Sequence, residues 1–122
     1  MFGIDANACP VITGAAEEYN ITVHDMALRS YTDTLNPGDA HVISPKFSWS
    51  QGTQIQLSAS WTPTDQTLHV GVYDATTGQY HLAVCTGGSA EPTITIPWTS
   101  DEWQIMIASP RSNTETIEYT LN

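Results

Sequence analysis

Apolar residues recur at every second position through the second half of this chain. Ile55, Leu57, Ala59 and Trp61 form one such run, and Leu68, Val70 and Val72 another. Leu82 and Val84, then Ile94, Ile96 and Trp98, then Trp103, Ile105 and Ile107, then Ile117, Tyr119 and Leu121 continue the pattern. Successive side chains of an extended strand point to opposite faces, so each run buries one face and wets the other. Polar turns separate the runs: Asn36-Pro37-Gly38-Asp39, Ser50-Gln51-Gly52, Pro63-Thr64-Asp65, Asp74 to Gly78, Gly87-Gly88 and Pro110 to Asn113. Pro and Gly supply the backbone angles that such turns require. About eight strands at this spacing predict an all-β fold, a single antiparallel β-sandwich of jelly-roll-like form.

The expected organisation is an irregular segment over 1–16 and a sandwich over 17–122. Tyr19, Ile21 and Val23 read as a first strand and Ala27 to Thr32 as a short second one. His41 to Ser44 follow the first strong turn. Pro45 interrupts them, which argues for a sheet edge or a bulge. Phe47 and Trp49 then share a face. Thr53 to Trp61 reads as one long strand, and Thr67 to Tyr73 with Gln79 to Cys85 as a hairpin. No segment carries a helical period, and none approaches the roughly 20 apolar residues of a membrane span.

Charge narrows the function classes. The chain has 13 acidic and 3 basic side chains, a formal net charge of −10. Such a surface repels phosphate backbones and anionic lipid, so neither nucleic acid nor a membrane is an expected partner. Charged residues are only 13% of the chain, and Thr, Ser, Gln and Asn supply the polar surface. Thr suits exposed sheet faces. An acidic, Thr-rich, lysine-poor β domain points to a secreted or cell-surface protein. The first ten residues lack the basic start and apolar core of a signal peptide; Met1 is either the natural start or stands where a leader was removed, and the exported reading favours the second. Two cysteines are present, Cys9 and Cys85. They either close one long loop or are unrelated thiols, and spacing alone leaves both open.

Each candidate site has a plain structural role as its alternative. Trp49, Trp61, Trp98 and Trp103 all share parity with apolar neighbours, which places them in the core and away from sugar stacking. Trp61 and Trp98, at strand ends, are the two nearest to solvent. A glycan-binding surface would need other aromatics, such as Tyr31 or Tyr73. His69 and His81 lie on the outward parity of the hairpin, diagonal to one another if like faces match, with Cys85 on the same side. These are zinc-competent ligand types, but the spacing fits no zinc signature, and a solvated polar face is the expectation. His24 and His41 read as surface residues. Asp33, Asn36, Asp39, Asp65 and Asp74 sit in or beside loops, where calcium takes oxygen ligands, yet turn chemistry alone explains them. No metal or other cofactor is expected.

Catalysis finds no candidate set. Glu17-Glu18 and Asp101-Glu102 are adjacent pairs, and neighbours on an extended chain point apart. No serine sits in a nucleophile elbow, and Gly87-Gly88 lacks the helix and lysine of a phosphate loop. Asn20-Ile21-Thr22 is a glycosylation sequon inside a strand.

The stretch 41–121 resembles the pre-peptidase carboxyl-terminal family, small β-sandwich domains of secreted bacterial proteases and other exported proteins. The resemblance lies in Gly52 to Trp61, Leu68 to Asp74, Trp103 to Ile107 and Glu118 to Leu121. Pro63-Thr64-Asp65-Gln66 stands where that family carries an acidic pair. The resemblance implies a non-catalytic, secreted or cell-surface accessory or adhesion module that binds an extracellular protein or glycan. A carbohydrate-binding module is the alternative.

Overall fold

The computed structural model describes residues 9–15, 18–23 and 31–121. The strands in chain order are β1 (Val11–Ala15), β2 (Asn20–Val23), β3 (Tyr31–Leu35), β4 (Asp39–Val42), β5 (Phe47–Trp49), β6 (Gln54–Gln56) and β7 (Ala59–Thr62). They continue as β8 (Leu68–Asp74), β9 (Gln79–Cys85), β10 (Ser89–Ala90), β11 (Thr93–Thr95), β12 (Ser100–Ala108) and β13 (Ile117–Leu121). No α-helix occurs among the described residues.

A seven-stranded sheet runs β1-β9-β8-β12-β4-β2, with β5 also paired to β12. A four-stranded sheet runs β10-β7-β13-β3, and β11 and β6 form a small third sheet. The fold is a β-sandwich. Its main core lies between the two larger sheets, where Leu68, Val70, Val72, Trp103 and Ile107 meet Leu35, Trp61, Ile117 and Tyr119. Trp103 and Tyr119 are the largest of the side chains closed off entirely from solvent, and Trp61 beside them is nearly so.

Among the described residues thirteen strands stand where about eight were expected: one long run divides between sheets, His41 to Trp49 forms two strands around Pro45, and β1 and the two-residue β10 are additional. The expected strand Thr53 to Trp61 breaks at Leu57-Ser58. Its first part pairs with β11 and its second with β13 and β10. The inward alternation of Leu57, Ala59 and Trp61 continues across the break, so periodicity gave no sign of it. Within the expected irregular segment 1–16, residues 11–15 form β1, an edge strand paired along all five residues with β9. Val11 and Ile12 remain exposed on it, which is why no buried alternation marks this strand. Most of the expected second strand, 27–30, lies outside the described residues, as do His24 and Glu17; Tyr31 and Thr32 open β3.

Among the described strands one pairing is not antiparallel. β2 runs parallel to β4. Between them β3 lies in the other sheet, so the chain crosses the sandwich and returns in its original direction. The tight return is the Asn36-Pro37-Gly38 turn, in which Gly38 adopts φ +90°, a conformation that other residues rarely hold.

The larger sheet is covered on both faces, contrary to the expectation of one wet face. Behind the main core, Ala40, Val42, Tyr80, Leu82, Met106 and Ala108 make a second buried cluster, with Tyr19, Ile21 and Tyr73 packed against it. Five consecutive residues of β8, Leu68 to Val72, are therefore buried. On the second face β8 contributes only His69, Gly71 and Tyr73, which carry little apolar signal in the sequence.

Candidate binding cleft

The Glu18-Tyr19 turn that leads into β2 lies over this second face. Tyr19 Oη hydrogen-bonds His69 Nδ1 at 2.7 Å, and its ring meets that of Tyr80 edge to face at 5.4 Å. Tyr80 Oη donates to Glu18 Oε1 at 2.6 Å. β1 allows this approach because Gly14 stands opposite Tyr80. A Cβ there would lie 2.5 Å from the Tyr80 hydroxyl and 2.9 Å from Glu18 Oε1.

From the other side comes the turn between β12 and β13. Arg111 donates from Nη2 to the Glu18 main-chain oxygen at 3.1 Å. That turn is itself fastened: Asn113 donates to Thr67 O and to Ser109 Oγ, and Gly38 N donates to Ser109 O. Between the two turns opens a cleft of about 490 Å³ lined by Glu18, Tyr19, Tyr80, Pro110 and Arg111. Its charged groups of opposite sign are not in contact. Among the described residues the ion pairs are Lys46–Glu102 and the His41–Asp33 contact. Burial raises the Tyr80 hydroxyl, and the bond to Glu18 raises it further, so it stays a proton donor. Burial also raises Tyr19. His69, desolvated beneath Tyr19, is lowered to about 4 and is neutral at physiological pH.

Of the residues singled out in the sequence, Glu18 lines this cleft and His69 lies beneath its Tyr19; the others lie elsewhere. Cys9 and Cys85 form a disulfide, Cα to Cα 5.1 Å, which pins the chain before β1 to the end of β9. His69 and His81 do not share a face. Leu68 pairs with Cys85 and Asp74 with Gln79, leaving Ala75 to Gly78 as an even-numbered turn. Even positions of β8 therefore face odd positions of β9, which reverses the parity assumed for the hairpin. His69 enters the second face. His81 sits on the first, half-buried, with Nδ1 2.8 Å from Thr13 Oγ1. Among the described residues no three His, Cys, Asp or Glu side chains gather to hold a metal.

The loop acids serve the fold. Asp74 is buried at the end of β8 and accepts Trp98 Nε1 at 2.6 Å, Ser100 Oγ at 2.8 Å and Thr76 N at 2.9 Å. Burial pushes its carboxyl up, but the hydrogen bonds outweigh this and hold it below the usual range. Asp33 accepts Tyr31 Oη and Thr34 N, Asn36 accepts Thr116 Oγ1, and Asp65 accepts Gln66 Nε2. Asp39 takes a long contact of 3.5 Å from Asn20 of the sequon. Of the adjacent acids, Asp101 binds Ser48, while Glu102 binds Lys46 and Thr76.

His41, expected at the surface, is mostly buried between the sheets, 2.7 Å from the hydroxyl of Tyr119. Tyr31, bound to Asp33, is raised to about 12 by burial and by that carboxylate. The tryptophans divide. Trp61 and Trp103 are buried, whereas Trp98 and Trp49 are half-buried. Trp49 stacks on exposed Phe47 at 4.8 Å on the β5 edge strand. Tyr73 is half-buried against the second cluster.

Sequence reasoning missed the cleft because Glu18, Tyr80 and Arg111 are far apart in the chain. The available signal was Arg111, a rare cation placed in a turn. No protein-family model matches this chain, and no curated protein or solved structure matches it either. Among the described residues no helix is long and apolar enough to cross a membrane.

Proposed function

We propose that this chain is a non-catalytic binding module, an accessory or adhesion domain of a secreted or cell-surface bacterial protein, as its resemblance to the pre-peptidase carboxyl-terminal domains implies. The observation that carries this is how the polar groups are used. The buried ones are committed to the fold: Asp74 to Trp98 and Ser100, Gln66 to the Thr114 and Glu115 amides, Gln104 to Ser44, Ser109 to Asn113 and His69 to Tyr19. Two charged side chains with bonding capacity to spare, the Glu18 carboxylate and the Arg111 guanidinium, line one open cleft without forming an ion pair. That is a surface for holding a ligand. The closest approach to a nucleophile and base is Thr13 with His81. Burial lowers His81, and no carboxylate among the described residues orients its ring, so it lacks the third member of a hydrolytic set. The Cys9–Cys85 disulfide supports an oxidising compartment.

The test pairs binding with turnover. Purified protein is sedimented with insoluble extracellular polymers, including peptidoglycan, cellulose and collagen, and assayed against ester, glycoside and peptide substrates. Co-sedimentation without turnover is expected. Turnover that disappears on mutating one polar side chain would end the proposal.

A further inference from the structure

We propose that the cleft between the Glu18-Tyr19 turn and the Pro110–Arg111 turn takes a neutral sugar ring, held by neighbouring hydroxyls that donate to Glu18 and accept from Arg111; this rests on the binding-module reading.

Three observations lead there. First, both charged groups are fixed without being consumed. Glu18 Oε1 accepts the Tyr80 hydroxyl, which orients the carboxylate, and Arg111 is anchored through one N–H to the Glu18 carbonyl. A guanidinium has five N–H donors and a carboxylate about four acceptor sites, so both retain capacity. Second, the two stand in one cleft without pairing. A ligand that satisfies both must offer donors and acceptors side by side. Vicinal hydroxyls do this without bringing a charge of their own. Third, Tyr19 and Pro110 give the cleft an apolar wall against which the C–H face of a sugar can lie. The volume of about 490 Å³ falls within the roughly 300–1,000 Å³ of small-ligand clefts.

Charge selects against the alternatives. The chain carries a formal −10, so an acidic sugar or phosphate is repelled at long range and meets Glu18 at contact. A simple cation would leave Arg111 unmatched. A zwitterionic amino acid or peptide end would also match both groups, so glycylglycine is titrated beside the sugars as the competing outcome.

The experiment is a titration of ¹⁵N-labelled protein, followed by NMR, with the methyl glycosides of glucose, galactose and mannose, and separately with glycylglycine and sodium acetate. At least one glycoside is expected to shift amides of Gly14, Glu18, Tyr19, Tyr80 and Arg111. Glu18→Gln and Arg111→Ala should each weaken that response at least tenfold while the rest of the spectrum stays in place. Glu18→Gln retains an acceptor for Tyr80, so it separates ligand binding from folding. The proposal is overturned if no glycoside moves these amides at high millimolar concentration, if the shifts survive both substitutions, or if glycylglycine or acetate binds there in place of sugar. Arg111→Ala protein that sediments with a polymer as fully as wild type would refute the sugar site and leave the module reading standing; no sedimentation by either form would count against the module itself.

Discussion

His69 should make this protein lose stability well before its carboxylates protonate. The imidazole is 8% exposed on the second face of the large sheet, and desolvation lowers it from 6.5 to about 4. Its Nδ1 sits 2.7 Å from Tyr19 Oη. The sign follows from which state accepts the proton. Between about pH 6.5 and 4 the unfolded chain binds it and the folded chain refuses it, so stability falls as pH falls through that window and is level above it. The full shift corresponds to about 3 kcal/mol, and the part spent between roughly pH 7.5 and 5 is about 2 kcal/mol. Urea unfolding at a series of pH values gives the slope directly. His69→Gln keeps a hydrogen-bonding side chain beside Tyr19 and cannot take the proton, so its curve should be flatter than wild type by that amount, whatever its offset at neutral pH. Because the other histidines are the same in both proteins, only the difference between the two curves reports His69. Parallel curves would refute the reasoning, since the imidazole would then be charging freely in the folded state.

Reduction of Cys9–Cys85, or Cys9→Ser with Cys85→Ser, should cost about 4–5 kcal/mol from the 76-residue separation in the chain-entropy model, read as a fall in the urea midpoint; an unchanged midpoint would mean that β1 pairing alone holds this end. Trp103→Ala should destabilise by roughly 3–5 kcal/mol, because a fully buried indole leaves a cavity in the main core beside Trp98; calorimetry would detect it as a large drop in Tm. Asp74→Asn should unfold more easily at neutral pH, since the carboxylate that accepts Trp98, Ser100 and Thr76 is lost. Asp74 is lowered on folding, so its contribution is present above the ordinary carboxylate range and disappears as pH falls through the folded value; the gap between variant and wild type should therefore close in acid, which a pair of low-pH urea curves measures.

Much of the sandwich was written in local order. Two-residue alternation marked Ala59 to Trp61, Val70 to Val72, Ile94 to Ile96 and Ile117 to Leu121 as inward-facing, and a strand needs only its own side chains to declare a face. Turns declared themselves through Pro and Gly for the same reason, as Asn36-Pro37-Gly38 did. The remainder depended on partners. The four-residue turn after Asp74 set the register that sends His69 and His81 to opposite faces, and alternation within one strand cannot reveal how it pairs with the next. Leu57-Ser58 switches sheets without breaking parity, so only the pairing shows it. His69 and Gly71 are covered because Tyr19 and the second cluster lie over them, contacts made across the sheet. The cleft is the extreme case: Glu18, Tyr80 and Arg111 become neighbours only when one turn folds over β9 and another closes from β12, because side chains from separate strands converge through packing and not through sequence spacing.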